Sequence, residues 1–320
     1  MYKFKKALFV LLRIIISVVL MVLLFKLNKI DLRALVNDIK GADRLFLAMG
    51  FAIFPFVHIF SFLRWQMLLK TTGISIPLKK LISSFCGGIF FSIFLPSTIG
   101  GDLVRTADLA VHTQKAKQVI ATVFLDRLSG YIGLVFVALL AILLGGELIS
   151  DKIVLFSFAI IIILLVIILL LLFNSFIYAR ITRFLSVPGA GKIREMIRDM
   201  HREIHIFRNH KKMIIGNLAL SLLIQVIFPV SVYFIGFSLG IKINIIYFLI
   251  FLPIIGAITL LPISIGGLGL REGLYVVYFA KAGVIKQLAL AMSLLSFSFI
   301  VFYGAIGGVI YVLTVHHRRI

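Results

Sequence analysis

One phrase occurs twice in this chain. Residues 95–105 read Leu-Pro-Ser-Thr-Ile-Gly-Gly-Asp-Leu-Val-Arg, and residues 261–271 read Leu-Pro-Ile-Ser-Ile-Gly-Gly-Leu-Gly-Leu-Arg. The two align without a gap. Leu95/Leu261, Pro96/Pro262, Ile99/Ile265, Gly100/Gly266, Gly101/Gly267 and Arg105/Arg271 are identical, and Thr98/Ser264 and Val104/Leu270 are close in kind. Each copy follows a long apolar run. Proline removes a backbone donor and breaks a helix. Gly-Gly lets the chain turn and lets another group approach the backbone closely. A break inside apolar sequence is tolerated in a membrane where the backbone is buried in protein or lines a cavity. Two such breaks in corresponding places point to a transporter-like binding site. Six identities in eleven positions, with an Arg at the same offset, weigh against two unrelated loop turns.

The rest of the chain agrees with a membrane setting. It is 62% hydrophobic and 14% charged over 320 residues, where soluble domains carry about 25% charged residues. The apolar runs are continuous rather than alternating, which predicts helices and excludes a barrel. The fold class expected is therefore an all-α polytopic membrane protein. The net charge of +21 could suggest nucleic acid. However, the basic residues fall between apolar runs, where the positive-inside rule places them, so no nucleic-acid partner is expected. Cys86 is the only cysteine, which rules out an intramolecular disulfide, and it reads as a small core residue. Lys3, Lys5 and Lys6 precede an apolar stretch longer than a signal core and without a small-residue cleavage site, so it is expected to remain as an uncleaved first span.

Spans are expected at roughly 7–27, 45–63, 119–144, 153–173, 213–239 and 289–313, with Arg64-Trp65 closing the second as an interfacial pair. Residues 81–95 and 245–261 are apolar but too short to cross alone and return. Residues 175–212 carry nine Lys/Arg against three acids and are placed in the cytoplasm. Counting spans outward from that segment, residues 81–105 must enter and leave on the cytoplasmic face, and residues 245–285 on the outer face. The expectation is about six full spans plus two re-entrant helical hairpins in inverted-topology repeats, about eight membrane segments in all. Residues 1–320 form one domain: 1–174 a first repeat, 175–212 a cytoplasmic basic linker, and 213–320 a second repeat. Both termini are expected in the cytoplasm of a plasma-membrane protein. Within the linker, Ile193, Met196, Ile197, Met200, Ile204 and Phe207 share one helical face opposite Arg194, Arg198 and Arg202. That segment reads equally as a helix lying on anionic lipid or as one packed on the bundle.

Each break should be followed by a returning half-helix whose N-terminus lies within the membrane, where free N–H groups and the helix dipole favour an anion. Arg105 and Arg271 fall in the first turn or so of those helices. An Arg at mid-membrane costs about 2.5–3.5 kcal/mol on insertion scales, which makes it a functional candidate by default, and its fork fits a phosphate. The candidate lipid-phosphate site is thus Arg105, Arg271 and Arg127, the hydroxyls of Thr98 and Ser264, and the backbone at Gly100, Gly101, Gly266 and Gly267, with Pro96 and Pro262 as the helix breaks. Asp102, Asp126 and Glu272 are the charge partners. A second role stays open for these residues: Asp102 can pair with Arg105 at i,i+3, and Asp126-Arg127 can be a structural lock. Adjacent residues on a helix point about 100° apart, so Asp126 and Arg127 need not bind each other. His201 and His205 are four apart, but the order His-Arg-Glu-Ile-His is not the zincin order and no third ligand is evident, so no metal is expected. There is no phosphate-binding P-loop and no Gly-x-Ser-x-Gly nucleophile, so no cofactor is expected.

Several of these pieces together resemble the transmembrane, flippase-like region of the lysylphosphatidylglycerol synthase family: Leu63-Arg64-Trp65 with Leu68-Leu69, Phe94-Leu95-Pro96 through Gly100-Gly101-Asp102-Leu103-Val104-Arg105, Asp126-Arg127-Leu128, and Leu261-Pro262 through Gly266-Gly267-Leu268-Gly269-Leu270-Arg271-Glu272-Gly273. Where that family often has Asn in the run before the first Pro, this chain has Ser92 nearby. The resemblance implies translocation of a membrane lipid with an anionic, aminoacylated or polyprenyl-phosphate headgroup. Larger members of that family carry a soluble domain that transfers lysine from aminoacyl-tRNA to phosphatidylglycerol. The 38-residue polar segment here is too short for such a domain. No transferase activity is expected, and a separate soluble transferase is a candidate partner. The competing class is a lipid-modifying enzyme, a glycosyl- or aminoacyl-transferase working through the intramembrane acids.

Overall fold

The computed structural model describes residues 2–95, 99–145, 151–173, 210–261 and 263–316. Among these, every regular element is an α-helix: α1 (Tyr2–Leu27), α2 (Leu32–Lys40), α3 (Arg44–Thr71), α4 (Leu78–Phe94), α5 (Ile99–Thr113), α6 (Ala116–Gly145), α7 (Lys152–Phe173), α8 (Lys211–Ser238), α9 (Ile245–Ile258), α10 (Leu270–Lys281) and α11 (Lys286–His316). Five of them, α3, α6, α7, α8 and α11, are long and apolar enough to cross a membrane. The linker helix expected within 192–208, with His201 and His205, lies outside the described residues, as do Pro96, Thr98, Pro262 and the basic tail.

In a membrane, helices associate through close packing and hydrogen bonds rather than through the hydrophobic effect, and small residues mark the contacts. Here α3 and α8 meet at Gly50, where a Cβ would sit 2.8 Å from the Ser231 carbonyl, and the Ser231 hydroxyl donates to the Gly50 carbonyl at 2.7 Å. Helix α6 closes on α8 at Gly133, against the backbone of Ser221. Around these three, α4 packs on α11, α5 on α6, α9 on α6 and α8, and α10 on α11 and α1. Proline at position 55 leaves the Phe51 carbonyl without its usual i+4 donor, and the Tyr303 hydroxyl of α11 fills the vacancy at 2.8 Å. Between α1 and α3, the mixed-charge segment holds the short helix α2, capped by Asp31, with Leu35 buried.

The two copies of the repeated phrase fold differently. The first helix ends at Phe94 and the next begins at Ile99, so Gly100 and Gly101 already lie in the first turn of α5. In the second copy the matching Gly266 and Gly267 have φ of +56° and +78°, as does Gly269 at +81°, and α10 begins only at Leu270. The cause is two substitutions. Asp102-Leu103 suits an early helical turn, with an acid near the positive end. Leu268-Gly269 replaces it, and Gly269 provides the left-handed residue whose N–H the Glu272 carboxylate caps at 2.6 Å. Arg271 therefore sits in the first turn of its helix and Arg105 in the second.

The glycines also explain how tightly the hairpins are drawn. A Cβ on Gly101 would lie 2.1 Å from the Gly88 carbonyl, and one on Gly100 2.2 Å from the Leu95 side chain, so α4 and α5 touch backbone to backbone. The end of α4 also touches the turn before α10: a Cβ on Gly266 would lie 2.8 Å from the Ile93 carbonyl. Helix α1 braces the second tip, since the Ser17 hydroxyl accepts from the Ile265 N–H at 3.1 Å. Gly101→Ala should lower the thermal midpoint in detergent by the equivalent of about 1–3 kcal/mol, an overpacking cost. Gly256→Ala, on α9 where nothing lies within 4 Å of the added carbon, should leave the midpoint unchanged or raise it. Equal midpoints for the two variants would refute the close α4–α5 contact.

Candidate functional site

Three arginines and two aspartates form one alternating chain across α3, α5 and α6. Arg64 Nε donates to Asp126 Oδ1 at 2.7 Å. Arg105 Nη2 donates to the other oxygen, Asp126 Oδ2, at 2.9 Å. Arg105 also reaches back along its own helix to Asp102 Oδ1, at 3.0 Å from Nε and 2.9 Å from Nη2. Arg127 Nε closes the chain on Asp102 Oδ2 at 2.5 Å. The neighbours Asp126 and Arg127 thus bind different partners, as their angular separation on the helix requires. Each carboxylate is shared between two guanidiniums. This distribution keeps a charged cluster tolerable at low dielectric, where an ion stripped of its partner costs about 3–5 kcal/mol.

Packing fixes the cluster. The Arg105 guanidinium lies 4.5 Å from the centre of the Trp65 ring and 5.9 Å from that of Phe85, a cation–π arrangement. Trp65 is fully buried, and its Nε1 donates to Thr122 at 3.3 Å. The Ser84 hydroxyl donates to the Arg105 carbonyl at 3.1 Å. Helix α8 supplies a polar seam at every fourth residue. Asn217 donates to the Arg64 carbonyl at 3.1 Å, Ser221 accepts from Arg64 Nη1 at 3.1 Å, and Gln225 donates to the Gly130 carbonyl at 3.2 Å. Below the cluster, Lys80 of α4 forms an ion pair with Asp108 of α5 across the base of the first hairpin.

The chain of charges lines a cavity of about 420 Å³ between α3, α4, α5, α6, α8 and α9. All five charged side chains reach it, and its other walls include Leu134, Ile224, Phe228 and Leu252. Exposure differs along the chain: the Arg64, Asp126 and Arg105 side chains are 9%, 5% and 6% exposed, Asp102 13% and Arg127 32%. Arg127 is therefore the most exposed of the five. The dipoles contribute no clear excess. Gly101 brings the positive end of α5 to the cavity, while Thr259 and Leu260 bring the negative end of α9. Positive charge at the cavity comes from the guanidiniums rather than from the broken helix that the sequence emphasised.

Arg271 has other company. It binds the adjacent Glu272, with Nε to Oε1 at 3.1 Å and a second contact from Nη2, and its guanidinium lies 4.3 Å from the Phe297 ring centre. It is not among the residues lining the cavity. Gly266 and Gly267 form a turn, and Ser264 is buried with no protein partner for its hydroxyl among the described residues. The second phrase shapes the opposite wall indirectly, by ending α9. The Arg64-Trp65 pair, expected at the interface, belongs to the centre of the site, because α3 continues two further turns to Thr71. Among the described residues no group of His, Cys, Asp and Glu has the arrangement to hold a metal.

Asp126→Asn should be the most damaging single change in the cluster, since it leaves Arg64 and Arg105 without their shared carboxylate. A loss of about 3–5 kcal/mol is expected, read as a lower thermal midpoint and poorer expression. Arg127→Gln leaves Asp102 its contact with Arg105 and should cost less. The reverse order would show that Asp126 does not organise the site.

Comparison with known proteins agrees with this architecture. Residues 10–308 match the family described as the lysylphosphatidylglycerol synthase TM region. A UPF0104 membrane protein of Methanothermobacter thermautotrophicus is 23% identical over 277 residues, which cover 80% of this chain and 81% of that protein. No solved structure matches the chain. With nearly its whole length matched, this multi-pass helical membrane protein belongs to the lysylphosphatidylglycerol synthase TM-region family.

Proposed function

We propose that the chain translocates a phosphate-bearing lipid across the cytoplasmic membrane and carries no transferase activity of its own. One observation carries this reading: a cavity with apolar walls whose charged lining holds three guanidiniums and only two carboxylates among the described residues. That surplus positive charge suits an anionic headgroup, and the apolar walls suit the glycerol backbone and upper acyl chains. Arg127 meets the headgroup first and Arg105, deeper, receives it by its planar fork. Arg271 holds the start of α10 in place together with Glu272. The helix pairs α4–α5 and α9–α10 are read as re-entrant hairpins entered from opposite faces, with both termini cytoplasmic. A soluble enzyme that makes or consumes the lipid is the expected partner.

Reconstituted exchange of fluorescent anionic lipid between leaflets tests the reading. Arg105→Gln should fold and lose exchange, and Arg105→Lys should fall between it and the parent, because lysine keeps the charge without the fork. Arg271→Gln with Glu272→Gln removes both charges but retains a side chain that can cap Gly269, and should keep most of the exchange. Normal exchange in a well-folded Arg105→Gln protein would end the proposal. For topology, on a Cys86→Ser background, a cysteine at Gly240, which is exposed with nothing within 4 Å of an added Cβ, should react with an impermeant reagent from outside and one at Lys115 should not. Labelling of positions 115 and 240 from the same side would rule out the inverted hairpins.

A further inference from the structure

We infer that the segment Lys26–Arg44 is a docking surface for the membrane itself: α2 lies in the membrane–water interface, and the bases around it hold the anionic headgroups of phospholipids in that leaflet. The surface is separate from the charged cavity, which none of these residues lines. The topology proposed above makes it the outer leaflet, but the surface is defined by contacts that do not depend on that reading.

The segment joins α1 to α3 at one end of the bundle. The Asp43 N–H donates to the Ser238 carbonyl, at the end of α8, at 2.8 Å, and Gln287, at the start of α11, donates to Asp38. Helix α2 therefore sits beside the α8–α9 and α10–α11 turns. Within the segment, Lys26, Lys29, Arg33, Lys40 and Arg44 stand against Asp31, Asp38 and Asp43. The opposite end of the bundle carries Lys70, Lys79, Lys115 and Lys211. The charge bias that orients a membrane protein favours one end, so it accounts for only one of these two basic ends. Nor are the bases at the α2 end neutralised by their neighbours. Asp31 caps α2 by accepting the Arg33 N–H at 2.9 Å, and Asp43 caps α3 by accepting the Leu45 N–H at 2.8 Å. Asp38 is taken by Gln287. All five bases are exposed, and among the described residues none of them forms an ion pair.

The apolar residues decide what covers them. Leu35 is buried against the bundle, whereas Leu32 and Val36 are 61% and 45% exposed. At 100° per residue, Leu32 and Val36 share one face of α2, Lys40 continues their row at i+4, and Arg33 lies beside it. On either side, Leu27 and Leu45 are exposed at the ends of α1 and α3. A soluble polyanion would match the bases and leave this apolar row in water. A lipid leaflet matches both: the row enters the acyl boundary, and the bases reach the phosphates above it. A base near an anionic membrane surface adds about 1 kcal/mol of binding, equivalent to about fivefold.

A fluorophore on a Val36→Cys, Cys86→Ser protein, reconstituted as the full chain in phosphatidylcholine nanodiscs, reads the surface. Nitroxide-labelled phosphatidylglycerol and nitroxide-labelled phosphatidylcholine serve as the lipid quenchers, and iodide as the aqueous one. At low salt the phosphatidylglycerol should quench at about fivefold lower mole fraction than the phosphatidylcholine. That preference should vanish at about 1 M salt, where the Debye length falls to about 3 Å. It should vanish equally when Lys29→Gln, Arg33→Gln and Lys40→Gln are combined, and persist when Lys70→Gln and Lys115→Gln are combined at the opposite end. The salt series on the parent decides the matter even if a variant fails to fold.

Equal quenching by the two lipids at low salt would overturn the inference, since α2 would then lie in the interface without recruiting anionic lipid. Quenching by iodide with no effect of either lipid would place α2 in water, facing a soluble partner, and would overturn it as well. A preference that survives both high salt and the triple substitution would show that the bases do not cause it. The nanodisc has the same lipids on both faces and no translocation is measured, so failure here leaves the proposed lipid exchange standing. Normal exchange in Arg105→Gln would likewise leave this surface standing.

Discussion

Everything at the centre of this molecule depends on one carboxylate serving two guanidiniums. Asp126 takes Arg64 on one oxygen and Arg105 on the other, and thereby ties α3, α5 and α6 at a single point. Arg64 extends the tie to α8 through Ser221, and Arg105 extends it to the cavity through Asp102 and Arg127. Buried ion pairs are poor sources of net stability, because desolvation offsets most of the attraction. They are good at fixing which surfaces meet, since every wrong pairing leaves a charge bare. In a bundle whose remaining contacts are mostly apolar, this cluster fixes how α3, α5, α6 and α8 meet.

Much of the fold was legible because long apolar runs admit few interpretations. The helices α3, α6, α7, α8 and α11 fall where the runs predict them, and the two Pro-Gly-Gly phrases do interrupt helices. The pairing of Asp102 with Arg105 could be read from its i,i+3 spacing. Arg64 and Trp65 could not be placed from local sequence: a basic residue beside an aromatic one at the end of an apolar run has the signature of an interface. Only the continuation of α3 to Thr71 puts them inside. The seam at Asn217, Ser221 and Gln225 did leave a signal, three polar residues at a spacing of four on an apolar helix. Its meaning depended on knowing that α3 and α6 lay opposite.

The repeated phrase teaches a subtler lesson. Identity at six of eleven positions did not produce identical backbones, because the two residues that differ after Gly-Gly decide where the returning helix starts. With Asp102 the helix begins early, and the arginine that follows is carried one turn deeper and onto the cavity. With Leu268-Gly269 the helix begins late, and the equivalent arginine stays beside its own glutamate. The two copies of the phrase thus sit in different surroundings, the first beside the charged lining and the second at the turn before α10.

The contact between the end of α4 and the turn before α10 has a mechanical consequence. Gly266 abuts the Ile93 carbonyl with no room for even a methyl group, and its neighbour Ile265 is hydrogen-bonded to α1. Two levers that bear on one fulcrum cannot swing independently. A displacement of α4 along its axis pushes on the turn before α10, and through Ser17 it pulls on the first helix. The clearance between the halves is therefore a shared quantity, and a motion that widens one side of the cavity is transmitted to the other as strain in a single glycine.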